Sequence, residues 1–450
     1  MNILLIYPTS LDETGRPKKY RKAFLPPLSL AVLARLIPER HSVEVVNDIV
    51  ETINFSADYD LVAITAMTTQ IPRAYQIADQ FRELRVPVVI GGVHVSMLPD
   101  EALNHADAVM VGEAEILWPE IIQDAENNRL RKIYRQDELF EMTEAVIPKW
   151  NAMNMSIYPR RLGSKWPMMP IFTTRGCPYN CKFCAVTKFA GNCFRVRSIA
   201  AVQSEIQASE ARELFFVDDN IGGHADYSRE LFEMVKKEKV RWMSQISTRV
   251  LNTPDLIDLA AESGCFYFFV GVESLNKKSL NSVNKGFNNV DVYEELVARM
   301  KKAGIVPFLS FMFGFDDDVE DQFQLTMDFL RRNKIGFAAF WILTPLPGTD
   351  FYHEIKQSGR IENSDWSLYD GTQALFRPAN ESRECLQRKY WQTYKEMYRL
   401  PDLVRNIVWN TQTSRTPVSE AFRNLLYQPI FRLKVAIHEH PFTGGILRRS

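Results

Sequence analysis

Thr174-Arg175-Gly176-Cys177-Pro178-Tyr179-Asn180-Cys181-Lys182-Phe183-Cys184 is the stretch that decides how this chain is read. Its spacing is C-x3-C-x2-C, and it follows an apolar run at 171–174 that reads as a β-strand. Thiolates are the ligands that iron–sulfur clusters require. Three of them on one tight loop suit three corners of a [4Fe–4S] cubane and leave the fourth iron without a protein ligand. The competing reading is a structural zinc site. Zinc takes four closed ligands, and Cys193 or a histidine is available as the fourth. Zinc loops, however, usually pair two C-x2-C units, and the chain has no second one. Cys193, Cys265 and Cys385 stand apart from the loop and read as small buried hydrophobes.

Downstream of the loop, strand patterns at 171–174, 213–217, 242–247, 266–270, 307–313 and 337–343 alternate with helical ones such as 200–208, 227–236 and 292–302. Six βα units are too few for a full eight-unit barrel, so a partial, open (βα)6 TIM barrel over 170–360 is expected. Upstream, strands at 2–7, 43–46, 61–65, 86–90 and 108–111 with helices at 27–36 and 71–84 give a doubly wound, Rossmann-like α/β domain over 1–126. Residues 127–169 lose the rhythm and read as a linker. Residues 361–450 read as a small, mainly helical C-terminal domain.

The bulk numbers narrow the function classes. A chain of 450 residues with a net charge of -1 lacks the basic face that nucleic acid demands. No apolar run is long enough to cross a bilayer. The opening Met1-Asn2-Ile3-Leu4-Leu5-Ile6-Tyr7 has no basic region before it and reads as a buried strand, not a signal peptide. Six cysteines make no disulfide framework, which points to the cytoplasm.

With these residues in view, the chain resembles the radical S-adenosylmethionine (SAM) superfamily. It is most similar to the subgroup with an N-terminal cobalamin-binding domain, which includes the anaerobic magnesium-protoporphyrin cyclase and the hopanoid methylases. The resemblance implies that a [4Fe–4S] cluster on Cys177, Cys181 and Cys184 reductively cleaves SAM to a 5′-deoxyadenosyl radical. It places the backbone of Phe183 against the adenine. It also sets Asp219 (in Phe216-Val217-Asp218-Asp219-Asn220) at the SAM amino group, Arg249 at the carboxylate and Glu273 at the ribose. The chemistry of the side chains agrees: an acid suits an ammonium, a guanidinium a carboxylate, and a carboxylate a diol. All three follow expected strands, on the face where barrels carry chemistry.

For the first domain, the resemblance implies cobalamin contacts from Thr9, Met67, Thr68, Gly91, Gly92, Val93, His94, Gly112 and Glu113. The stretch after the first strand, Tyr7-Pro8-Thr9-Ser10-Leu11-Asp12-Glu13-Thr14-Gly15, lacks the Asp-x-His-x-x-Gly of methionine-synthase-type domains. Bound cobalamin is therefore expected without a histidine on its lower face, and Ala66-Met67-Thr68-Thr69 is expected to face the cobalt. His94 reads as lining the nucleotide tail or capping a turn. Trp366, Tyr369, Asp370-Gly371 and Phe376-Arg377-Pro378 resemble an accessory domain that closes the open side of the barrel.

The implied reaction is cobalamin-dependent methylation of an unactivated carbon on a small-molecule substrate, fed by an external electron donor of the flavodoxin or ferredoxin type. Two other functions stay open at this point. One is oxidation, cyclisation or rearrangement with the same cofactors; the other is a non-catalytic iron–sulfur or zinc protein. Phe311, Phe313, Phe315, Phe340 and Trp341 are candidates for an apolar substrate pocket, with core packing as their default role. The tail 403–450, basic and sprinkled with aromatics, reads either as a peripheral membrane contact or as a packed helix with a solvated basic edge.

Overall fold

The computed structural model describes residues 1–144, 146–160 and 164–449. The first domain contains β1 (Asn2–Tyr7), an outlying β2 (Tyr20–Ala23), β3 (Ser42–Asn47), β4 (Leu61–Thr65), β5 (Val88–Gly91), β6 (Ala108–Val111) and β7 (Ile133–Arg135). All but β2 form one parallel sheet in the order β3-β1-β4-β5-β6-β7. Its central strands are apolar at nearly every position because helices cover both faces. On β1, Ile3 and Leu5 pack with helices Leu28–Leu36 and Ala114–Glu126, while Leu4 and Ile6 pack with helix Ile71–Glu83. The sixth strand lies inside the stretch expected to be a linker. Its three residues, Ile133-Tyr134-Arg135, are too few to display a period, and it is their pairing with Val109, Met110 and Val111 that makes them a strand.

The second domain contains β8 (Met169–Ile171), β9 (Thr174–Arg175), β10 (Arg195–Val196), β11 (Glu213–Phe216), β12 (Arg241–Ile246), β13 (Cys265–Glu273), β14 (Val306–Phe313) and β15 (Phe337–Ile342). Six of these, in the order β15-β14-β13-β12-β11-β8, form a parallel sheet whose outer strands are not paired with each other. This is the partial (βα)6 barrel. The short antiparallel pair β9–β10 joins the two ends of the cysteine loop.

An edge strand exposes unpaired N–H and C=O groups. Here the C-terminal helix Arg383–Met397 covers β15. The Phe340 N–H donates to the Tyr394 hydroxyl at 2.9 Å, and the Phe340 carbonyl accepts from Tyr390 at 3.1 Å and Tyr394 at 3.2 Å. The chain then makes two more helices, Leu400–Thr413 and Pro417–Ala436, before β16 (Gly445–Arg448) pairs antiparallel with β2.

Tyr394 also meets the His440 ring at 2.9 Å. Tyr394→Phe should therefore cost about 1–3 kcal/mol in a denaturant melt, because it strands buried polar partners. The control is Tyr398→Phe. Its buried hydroxyl has no hydrogen-bond partner among the described residues, so removing it should be neutral or stabilising.

Candidate active site

The cysteine loop leaves β9 through Gly176, whose φ is +86° and where a Cβ would meet the Cys193 carbonyl at 2.3 Å. Only glycine makes that turn without displacing backbone. The Gly176 N–H donates to Asp219 Oδ2 at 3.2 Å, and the Cys184 N–H closes a turn on the Cys181 carbonyl at 3.0 Å. Burial pushes the thiols up, Cys181 to about 12 and Cys184 to about 11. Cys181 feels the charge of Cys177 and Cys184, and Cys184 that of Cys177. Among the described residues, no three His, Cys, Asp or Glu side chains gather as a single-ion site. A cubane asks for something different, one thiolate per iron at three separate irons. Three thiols on one loop fit that demand, and metal charge would release the protons that burial retains.

Three strand ends surround the loop. Asp219 follows β11, and burial pushes its carboxyl up against the opposing pull of the Gly176 N–H. Glu273 ends β13 after an irregularity in its register with β14. Its φ of +62° is uncommon for a residue other than glycine. Arg249 follows β12, is exposed, and lies 6.0 Å from the Tyr179 ring centroid with no carboxylate paired to it among the described residues. Sequence reasoning missed Lys285. Its Nζ donates to Glu273 Oε1 at 2.6 Å and lies 5.7 Å from the Phe183 ring. Burial alone would depress the Lys285 amine, yet Glu273 and the neighbouring Cys181 raise it. A lysine in a loop after a helix looks like a solvated charge, so nothing in the sequence marked it. Asp218 was passed over beside Asp219. It is fully buried and accepts from the Thr173 N–H at 3.0 Å and the Thr173 hydroxyl at 2.8 Å, pinning the segment that leads into the loop.

The first domain grips the loop directly. Glu113 pairs with Arg175 at 2.9 Å and with Arg195 at 2.7 Å, and Arg175 also pairs with Glu115. The Arg175 guanidinium lies 4.3 Å over the Phe172 ring. Burial would raise the Glu113 carboxyl, but Arg195 and Arg175 hold it at about 2. Glu113, expected to touch cobalamin, makes this interdomain bridge. His94 also has protein partners. Its ring is fully buried, lies 3.3 Å from Thr68 Oγ1 and 3.3 Å from Glu101 Oε1, and packs edge-on against Trp366. Thr9 is buried and donates to the Lys18 carbonyl. Gly91, Gly92 and Gly112 back onto Met110, Ala66 and Gln136 respectively.

A cavity of about 720 Å³ opens between the domains, within the roughly 300–1,000 Å³ typical of small-molecule sites. Met67, Thr68 and Val93 reach it from the first domain, and Ala185, the residue after Cys184, reaches it from the loop. Of the five aromatic pocket candidates, Trp341 lines the cavity, alongside Met312. Phe311, Phe313, Phe315 and Phe340 are core residues, with Phe313 stacked on Phe323 at 4.0 Å. Successive strand side chains face opposite ways, so Met312 points into the barrel while Phe311 and Phe313 point at the helices. Cys265 is buried as expected, whereas Cys193 and Cys385 are half-buried.

Glu113 carries a pH signature. Its folded pKa, about 2, lies below its free value of 4.5, so its stabilisation is complete above pH 4.5 and is lost as pH falls toward 2. Urea melts of the metal-free protein should show that loss. Glu113→Gln should flatten it and cost about 3–5 kcal/mol at pH 7, the range for breaking a buried ion pair.

Residues 171–330 match the radical SAM superfamily, and residues 20–122 match the B12 binding domain. The bacteriochlorophyllide d C-12(1)-methyltransferase of Chlorobaculum tepidum is 36% identical over 382 residues, covering 83% of this chain and 82% of that protein. The bacteriochlorophyllide d C-8(2)-methyltransferase of the same organism is 31% identical over 398 residues, covering 85% and 88%. Among solved structures, the cobalamin-dependent SAM radical enzyme OxsB shares the fold, with a TM-score of 0.69 over 96% of this chain and 76% of that one at 15% identity. The chain belongs to the cobalamin-dependent radical SAM methyltransferases, enzymes that use a [4Fe–4S] cluster, SAM and cobalamin.

Proposed function

We propose that this enzyme methylates an unactivated carbon on a large, flat, chlorin-type substrate. The observation that carries the reading is the shared cavity: the cysteine loop and the strand ends of the cobalamin-binding domain open onto one space. Two relatives that cover most of this chain act on bacteriochlorophyllide d, at different positions, which supports the substrate class without fixing the carbon. The walls suit such a ring. Trp341 offers an aromatic face, Met67, Met97 and Met312 offer adaptable thioethers, and Lys18 offers a cation for a side-chain carboxylate.

When bound, cluster and SAM supply a 5′-deoxyadenosyl radical, and cobalamin supplies the methyl group. In this reading Cys177, Cys181 and Cys184 hold the cluster, and Phe183 backs the adenine. Asp219 accepts from the SAM ammonium, Arg249 pairs with its carboxylate, and Glu273, oriented by Lys285, receives the ribose hydroxyls. Met67, Thr68 and Val93 face the corrin, and no histidine approaches it from the 7–15 loop. Glu113, His94, Thr9 and the glycines position those segments rather than touch the cofactor. Radical SAM chemistry needs a reductant; we assign a small flavodoxin- or ferredoxin-type protein in the cytoplasm. Among the described residues, no helix is long and apolar enough to cross a membrane.

The decisive assay is anaerobic turnover of reduced holoenzyme with SAM and a bacteriochlorophyllide d-type chlorin. The expected product is one methylene heavier and forms with matched S-adenosylhomocysteine and 5′-deoxyadenosine. 5′-Deoxyadenosine without S-adenosylhomocysteine would instead assign oxidation, cyclisation or rearrangement.

Arg249→Ala should weaken SAM binding about tenfold or more, equivalent to about 1.4 kcal/mol, while changing the melting temperature little, because Arg249 is exposed. Glu273→Gln should lower both SAM affinity and stability, because it leaves Lys285 without its carboxylate. Equilibrium binding and thermal melts on the two variants check the contrast.

A further inference from the structure

The helices Leu400–Thr413 and Pro417–Ala436 bury a largely polar seam. Asp402, Asn406, Asn410, Glu420, Asn424 and Gln428 are all nearly inaccessible to solvent, beside the apolar Leu403, Phe431 and Val435. Asn410 Nδ2 donates to Asn424 Oδ1 at 2.9 Å, and Asn424 Nδ2 donates to Glu420 Oε1 at 2.6 Å. Gln428 Nε2 donates to Asn424 Oδ1 at 3.2 Å, and the Tyr267 hydroxyl donates to Glu420. The outer face is apolar. Leu400, Val404 and Val408 form a stripe on the first helix, and Val418, Phe422, Leu425, Leu426 and Leu433 form one on the second, continuing to Ile437. These nine make up more than half of the seventeen large apolar residues exposed among the described residues, with Phe422 63% and Val418 84% exposed. Scattered surface hydrophobes are ordinary, but a contiguous patch marks an interaction surface.

Charge identifies the occupant. Between Arg399 and His438 there are six basic residues and only two acids, Asp402 and Glu420. Both acids are buried, while Arg399, Arg415 and Arg432 are exposed. An apolar stripe fringed by arginine, with no exposed carboxylate of its own, matches an anionic bilayer surface. It matches a second copy of itself poorly, because a two-fold contact sets like charges against each other. Position adds a purpose. Ile437 ends the apolar stripe and also lines the interdomain cavity, together with His438, Glu439 and His440.

We propose that this helical hairpin is a monotopic membrane contact. It seats its apolar face at the headgroup–acyl boundary of an anionic bilayer and turns the mouth of the cavity toward the lipid, so that an apolar substrate enters from the membrane. The contact does not depend on which carbon is methylated.

The test is flotation of the reconstituted full-length enzyme with phosphatidylcholine vesicles, with and without phosphatidylglycerol. Wild type should float with the anionic vesicles, and salt should weaken this binding. A Phe422→Asp/Leu426→Asp variant should lose binding about tenfold or more while cleaving SAM at the wild-type rate. Arg415→Glu/Arg432→Glu should lose only the preference for anionic lipid. Wild type that never floats, or a double aspartate variant that floats as well as wild type, overturns the proposal. So does a wild-type dimer in light scattering that the aspartate pair converts to a monomer without any flotation, since the face then belongs to a second copy.

Discussion

A single carboxylate, Glu113, caught between the guanidiniums of Arg175 and Arg195, is the constraint on which the site depends. Arg175 is two residues before Cys177, and Arg195 lies on the strand that closes the other end of the loop. One buried acid from the first domain therefore clamps both ends of the loop that carries the thiols. The bridge adds little net stability, because desolvating such charges offsets much of their attraction. What it sets is geometry. It fixes the distance between the mouth of the cysteine loop and the strand ends of the first domain, and transfer between two cofactors demands a fixed separation of that kind.

The same economy recurs at the barrel rim. Glu273 is held in a left-handed backbone conformation, with Lys285 braced against it. That brace limits the rotamers open to the acid. Asp218 fastens the preceding segment with donors from two consecutive threonines. Asp219, Arg249 and Glu273 thus stand on strand ends that other, buried side chains help to fix. Rigid support beneath mobile chemistry is what preorganisation means in structural terms.

Much of this was legible in the sequence, and the exceptions have physical causes. The two parallel sheets announced themselves because strands covered on both faces are continuously apolar. The C-x3-C-x2-C loop and the strand-end positions of Asp219, Arg249 and Glu273 followed from the βα rhythm. Strand β7 did not, since three residues carry no period. The family resemblance implied cobalamin contacts for Glu113 and His94, but the sequence did not show their protein partners. A strand end fixes position but not partner, and Arg195, far along the chain, claims Glu113. Phe311 and Phe313 take their default role in the core, while Met312 reaches the pocket for which they were also candidates. A largely apolar run such as Phe308-Leu309-Ser310-Phe311-Met312-Phe313 hides the alternation that decides which side chain faces inward. In the C-terminal helices the four-residue spacing of Asn406 and Asn410, and of Asn424 and Gln428, was plain in the sequence, but periodicity does not say which face turns inside.

The pairing of β2 with β16 has a consequence for how the molecule comes to exist. Tyr20 to Ala23 emerge early in synthesis, yet their hydrogen-bonding partners, Gly445 to Arg448, follow more than four hundred residues later. Domains ordinarily complete themselves in the order in which they are made. Here β2, outside the parallel sheet, meets its strand partner only after the barrel, the covering helix and the hairpin have been translated, so the ribbon ties an early segment to a late one.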